Sequence, residues 1–178
     1  MAKTASLVLT LIGADRPGLV EALSQTIARC DGNWLDSRMA RLAGKFAGIL
    51  RVEVGEDRAA ELTRELEQLT ARGLRVIIEP SDDAAPATSD QRTVHLELVG
   101  QDRPGIVREI SQALAQRAVN VEELSSGCSS APMSGERLFR ASARLRVPNG
   151  LALHELRASL EQLAHDLMVE ISLEGSES

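Results

Sequence analysis

GADRPG at 13–18 and GQDRPG at 100–105 are one turn written twice, 87 residues apart. An internal repeat decides architecture before any other signal does. Laid over 94–121, the segment 7–34 matches at twelve of 28 positions without a gap. The matches begin upstream of the turn, at Leu9 and Leu11 against Leu96 and Leu98, and continue through Val20, Ser24, Gln25, Ala28 and Asn33 against Val107, Ser111, Gln112, Ala115 and Asn120. The repeated unit is about 80–90 residues long, far beyond a solenoid repeat. Between the copies lies PSDDAAPATSDQ (80–91), which has no large apolar residue and reads as a solvated linker. The expected division is a first domain at 1–80, a linker at 81–91 and a second domain at 92–178.

The hydrophobic period switches in the same order within each copy. Leu7, Leu9 and Leu11 alternate as a strand does. Leu19, Val20, Leu23 and Ile27 then mark one face of a helix. Segments 34–42 and 46–54 read as two strands turned around 43–45. Ala59, Leu62, Leu66 and Leu69 mark a second helix, Gly73 a stop, and 74–79 a final strand. In the second copy, 93–99, 120–126, 138–147 and 169–173 read as strands, with a Gly/Ser/Pro loop at 127–135. Helices are expected from Ile106 to Leu114 and from Leu153 to Leu163. The order βαββαβ, twice, predicts an α+β protein made of two ferredoxin-like units. Each has a four-stranded antiparallel sheet with both helices on one face. One sheet face or edge is thereby left for the twin unit or for a second chain, and a homodimer is one outcome.

Composition narrows the function. The chain has 178 residues, with 26 acidic and 20 basic side chains and a net charge of −6. That balance draws neither nucleic acid nor anionic lipid, and no apolar run reaches the ~20 residues of a membrane span. Two cysteines, Cys30 and Cys128, stand too far apart for zinc spacing and read as the thiols of a reducing, cytoplasmic setting. His95, His154 and His165 have no triad or ligand spacing. The sequence therefore implies no catalytic set, no metal and no cofactor. RNA-binding sheets share this strand order but stack bases on aromatics, and here there are two Phe, one Trp and no Tyr. Arg140, Arg144 and Arg146 form a positive stripe on one strand face, most simply a solvated or inter-unit surface.

The repeated turn is where binding chemistry belongs. Pro17 and Pro104 suit the first position of a helix. Asp15 and Asp102 suit its cap. Gly13, Gly18, Gly100 and Gly105 permit a tight turn or a close approach. None of these roles explains Arg16 or Arg103. A helix N-terminus beside a guanidinium binds anions. If an Asp or Asn oxygen takes an ammonium, the combination fits a small α-amino acid. Asn33 and Asn120, just after the first helix of each copy, are candidate amides, and also ordinary turn residues.

With GADRPG and GQDRPG each opening a βαββαβ unit, the sequence resembles the ACT domain, a small-molecule-sensing regulatory fold. The runs NWLDSRMARLAGKFAGILRVEV (33–54) and APMSGERLFRA (131–141) are similar to the free-standing, two-domain group of glycine cleavage repressors. The resemblance implies an amino acid, glycine favoured, bound at an interface between units. By position it implicates Gly13, Asp15, Arg16, Pro17, Gly18 and Leu19 in the first copy. In the second it implicates Gly100, Asp102, Arg103, Pro104, Gly105 and Ile106. Asn33 and Asn120 would face the ligand or hold the turn. It further implies control of transcription through a protein partner, a DNA-binding activator, with no direct contact to nucleic acid. The alternative is an ACT pair that has lost its ligand and serves only as an interaction module. The copies diverge after residue 121, so the two sites need not be equivalent.

Overall fold

A computed structural model describes residues 3–81, 90–131 and 135–175. The chain divides into two compact units, 1–85 and 86–178. The linker expected over 81–91 falls mostly outside the described residues.

In the first unit the elements are β1 (Thr4–Ala14), α1 (Leu19–Arg29), β2 (Asn33–Leu42), β3 (Lys45–Gly55), α2 (Glu56–Gln68) and β4 (Leu74–Pro80). A short 3₁₀ turn, Leu69–Arg72, links α2 to β4. The second unit holds β5 (Gln91–Gln101), α3 (Ile106–Ala115), β6 (Asn120–Ser130), β7 (Arg137–Pro148), α4 (Leu153–Leu167) and β8 (Val169–Glu174). The sheets run β2-β3-β1-β4 and β6-β7-β5-β8, with every pairing antiparallel. This is the expected α+β, ferredoxin-like arrangement, in tandem.

Alternation fixes which sheet face is covered, because successive side chains point to opposite sides. Leu7, Leu9 and Leu11 of β1 and Leu50, Val52 and Val54 of β3 turn inward against Leu23, Ile27, Leu62 and Leu66 of the helices. The second core repeats this with Val94, Leu96, Leu98, Leu145, Leu156 and Leu160. Each fully buried Leu or Val contributes about 1.5–3 kcal/mol, which is how units this small stay folded. Phe46 and Phe139 pack against these cores, as their alternation predicts, and are unavailable as base-stacking platforms.

The two first helices end alike. Asp31 and Ala118 adopt left-handed backbone at φ 54° and 55°. The next N–H reaches back into the last turn, Gly32 to Ile27 O at 2.9 Å and Val119 to Leu114 O at 3.1 Å. One boundary differs clearly from the sequence reading. β6 runs on to Ser130, so 127–130 belong to an edge strand rather than to a loop. Small polar residues are compatible with a strand that only one neighbour holds. The rest of that expected loop lies largely in 132–134, outside the described residues.

Candidate functional site

The repeated turn joins the end of the central strand to the first helix in each unit, and its glycines act by two different means. Gly18 and Gly105 stand at the helix N-cap with φ 89° and 98°, the left-handed region that excludes most side chains. Gly13 is instead a close-approach position: a Cβ there would lie 2.5 Å from Gly73 O. At Gly100 a Cβ would meet Val169 at 2.4 Å. What these two glycines admit is therefore the last strand of their own unit.

The left-handed glycine also corrects the two roles assigned to Pro and Asp. The helices begin at Leu19 and Ile106, one residue past the glycine, so Pro17 and Pro104 lie in the turn and not at the first helical position. No side chain caps either helix. The carboxylates are committed elsewhere. Asp15 pairs with Arg41 at the end of β2, and Asp102 pairs with Arg137 at the start of β7, at 3.5 Å. Their backbone N–H groups donate to the same hairpins, Asp15 to Gly44 O at 2.9 Å and Asp102 to Arg137 O at 2.8 Å. In each unit the Asp thus clasps the turn to a hairpin and leaves the helix N-terminus open.

That open end is the site's chemical content. The first intrahelical bond in α1 is from Ala22 N–H to Gly18 O, so the N–H groups of the first turn face outward unpaired. They border a surface cleft of about 270 Å³ lined by Arg16, Pro17, Gly18, Leu19, Leu69 and Arg72, among others. The Arg16 guanidinium reaches toward Gly73, where a Cβ would lie 3.3 Å from it. Arg16, Arg72 and the positive end of a helix all border the cleft, and the arrangement suits a carboxylate. Arg72 was not singled out from the sequence. Its place in the cleft depends on the 3₁₀ turn that follows α2, which the helical spacing of 59–69 does not reveal.

The second turn is built differently. Arg103 donates to the carbonyl of Asp166 in the last turn of α4, at 3.4 Å. A cation there complements the negative end of the helix, which gives Arg103 a structural use. The two asparagines lie elsewhere. Asn33 opens β2 opposite Glu53, while Gly13 lies at the other end of β1 opposite Phe46. The seven residue steps along β1 from Ser6 to Gly13 put about 23 Å between them. Asn120, opposite Arg146 at the start of β6, is likewise a sheet length from Gly100, which pairs with Phe139. Neither Asn holds the turn of its own unit.

Two of the three arginines of the stripe, Arg144 and Arg146, are paired with acids. A register shift between Val121 and Glu123 brings both acids of β6 to the arginines of β7. Glu122 accepts from Arg146 at 2.7 Å and Arg144 at 3.1 Å, and Glu123 pairs with Arg144 at 3.0 Å. The hydrogen bond from Arg146 leads in holding the Glu122 carboxyl below its ordinary range, with Arg144 adding to it. Among the described residues no three His, Cys, Asp or Glu gather as a metal site, and no helix is long and apolar enough to cross a membrane.

Residues 5–79 and 94–163 each match a family model described as the ACT domain. The chain belongs to the ACT domain family, with two such domains in tandem. Its relatives include the glycine cleavage system transcriptional repressor of Escherichia coli K12, 26% identical over 171 residues, 96% of this chain and 87% of that protein. A UPF0237 protein of Methanocaldococcus jannaschii is 32% identical over a 78-residue match that covers 42% of this chain and 87% of that protein. Among solved structures, a protein of unknown role from Galdieria sulphuraria superposes with a TM-score of 0.87 at 29% identity, covering 98% of this chain and 100% of that one. A chain provisionally described as a glycine cleavage system transcriptional repressor gives 0.71 at 23% identity, covering 98% and 99%, which speaks to the fold.

Proposed function

We propose that the chain is a non-catalytic regulator that senses a small amino acid, glycine favoured, at the cleft of its first unit. The observation that carries the reading is the uncapped start of α1 flanked by Arg16 and Arg72. The α-carboxylate takes the helix N–H groups and the guanidiniums. The ammonium needs an acceptor other than Asp15, which Arg41 occupies, and other than this unit's Asn33. Asn33 and Asn120 serve the ligand only when a neighbouring unit presents them. The likeness to the Escherichia coli repressor supports an output in glycine cleavage gene control, through a protein partner that itself contacts DNA. Ligand acts by binding two arrangements of the protein unequally.

The test is thermal unfolding with each common amino acid in turn. Ligand at 100 times its Kd stabilises by about 2.7 kcal/mol, a shift of roughly 5–10 °C. The expected result is a shift with glycine or a close analogue that Arg16→Ala removes and Arg103→Ala largely spares. A shift with an unrelated amino acid discards glycine. A shift indifferent to Arg16 discards the cleft. If no amino acid shifts the transition, and affinity for a DNA-binding activator is equally indifferent, the chain is an interaction module.

A further inference from the structure

The two units fill the space between their first helix and their edge strand differently, and strand register fixes which residues correspond. In the first unit Val52 pairs with Leu7 and Trp34, and Leu50 with Leu9 and Ser37. In the second, Leu145 pairs with Val94 and Val121, and Ala143 with Leu96 and Leu124. Val121 therefore stands where the first unit has Trp34, Ala143 where it has Leu50, and Leu124 where it has Ser37. Leu50 is buried, and Trp34 packs against the same core. Two large apolar side chains thus become small in the second unit, while a polar one becomes leucine. Ala141 and Leu145, in place of Gly48 and Val52, return little of that volume.

What is left is a groove of about 50 Å³ between α3 and β6, lined by Val107, Ile110, Val121, Leu124, Phe139 and Ala143 among others. Val107 and Leu124 are 45% and 54% exposed. Pockets for drug-sized molecules run to about 300–1,000 Å³, so this one has room for a single side chain of medium size. Beside it runs an open sheet edge. β6 is hydrogen-bonded to β7 alone among the strands, and from Leu124 to Ser130 it has neither a charge nor a proline, the residues that ordinarily blunt an edge. The first unit's edge, β2, carries Asp36, Arg38 and Arg41. The acids preceding Leu124, Glu122 and Glu123, are engaged by Arg144 and Arg146.

We infer that the α3–β6 groove docks an extended, uncharged segment of a protein partner, which adds a strand to the β6 edge and seats one Leu, Ile, Val or Met side chain in the space that Trp34 and Leu50 fill in the first unit. An unpaired edge calls for backbone N–H and C=O groups, and the groove calls for an apolar side chain; an extended peptide supplies both. In strand addition the main-chain bonds give affinity and the pocket gives selectivity. The β6 strand of a second copy fits less well, because its branched apolar residues, Val121 and Leu124, already line its own groove. The surface does not rest on the amino-acid reading of the first unit's cleft, and its test needs no amino acid.

Selection of a linear dodecapeptide phage library on the full chain tests this. The expected peptides are uncharged around one apolar residue. Val121→Trp with Ala143→Leu, which gives the groove the first unit's own filling, should weaken them about tenfold or more, circular dichroism confirming the fold. Trp34→Val, in the other unit, should leave them bound. N-methylation of alternate residues in a selected peptide should abolish binding in one phase and spare it in the other, since only one side of an added strand bonds to β6. A library that yields no such peptide overturns the assignment. So does binding that ignores the filled groove, or that responds equally to both phases of methylation. Sedimentation velocity completes the test: a dimer that the filled variant dissociates would put a second copy on β6 and overturn the partner assignment.

Discussion

Replacing Gly13 by alanine isolates the packing of the turn from its backbone conformation. The added Cβ would lie 2.5 Å from Gly73 O and 3.4 Å from Leu74 Cα. The nearest atom is backbone, so no rotamer change relieves the contact, and β4 must shift. Overpacking of this kind costs about 1–3 kcal/mol. In a domain of this size each kcal/mol moves Tm by about 4–8 °C, so a loss of roughly 4–24 °C is expected. Gly18→Ala is the contrast, since nothing lies within 4 Å of its Cβ and only φ 89° opposes it. The left-handed backbone alone costs about 1–2 kcal/mol. Asparagine tolerates that region, so Gly18→Asn should recover part of the loss, while Gly13→Asn should be worse than Gly13→Ala. Thermal unfolding of the four variants by circular dichroism is the assay. A Gly13→Ala transition matching the unmodified chain, or rescue of Gly13 by asparagine, would refute the division of roles.

The cysteines should differ sharply toward a thiol reagent. Cys128 is exposed, while Cys30 is buried and its thiol is pushed up, first by burial and then by Glu61; one fast thiol is expected in the folded chain and the second only on unfolding, and two fast thiols would contradict the packing of Cys30. Acid should erase the benefit of the Glu122 contacts. The carboxyl is held below its ordinary value of 4.5 in the folded chain, so its stabilisation is present above that value and lost as pH falls through the depressed one. Glu122→Gln should therefore melt lower than the unmodified chain at neutral pH and alongside it in acid; a gap that ignores pH would count against the assignment.

The fold was legible because strand and helix periods differ and because the chain repeats itself. Leu7, Leu9 and Leu11 could alternate only in a strand, and the second copy provided an independent reading. Boundaries set by backbone geometry were less legible. The left-handed φ of Gly18 delays the helix past Pro17, and a DRPG spelling does not distinguish that from a proline at the first helical turn. The partners of Asp15 and Asp102 were hidden for another reason: hairpins distant in sequence bring Arg41 and Arg137 to them. Spacing placed Asn33 just after a helix that leads away from the turn, but proximity in the chain is not proximity in space. The bulge at Glu122, which brings two acids to Arg144 and Arg146, leaves no mark in a strict alternation.

The aspartate clasp bears on how far the two halves are free to diverge. In the first half the arginine comes from the strand entering the hairpin, at position 41; in the second it comes from the strand leaving it, at position 137. An 87-residue offset sets Arg41 against Cys128, so an alignment of the halves does not register the shared contact. What is retained is a point in space, reachable from either arm. The tip of the second hairpin can therefore change length while the turn beneath it stays held, and duplication has left this chain two versions of one joint that mutation can tune separately.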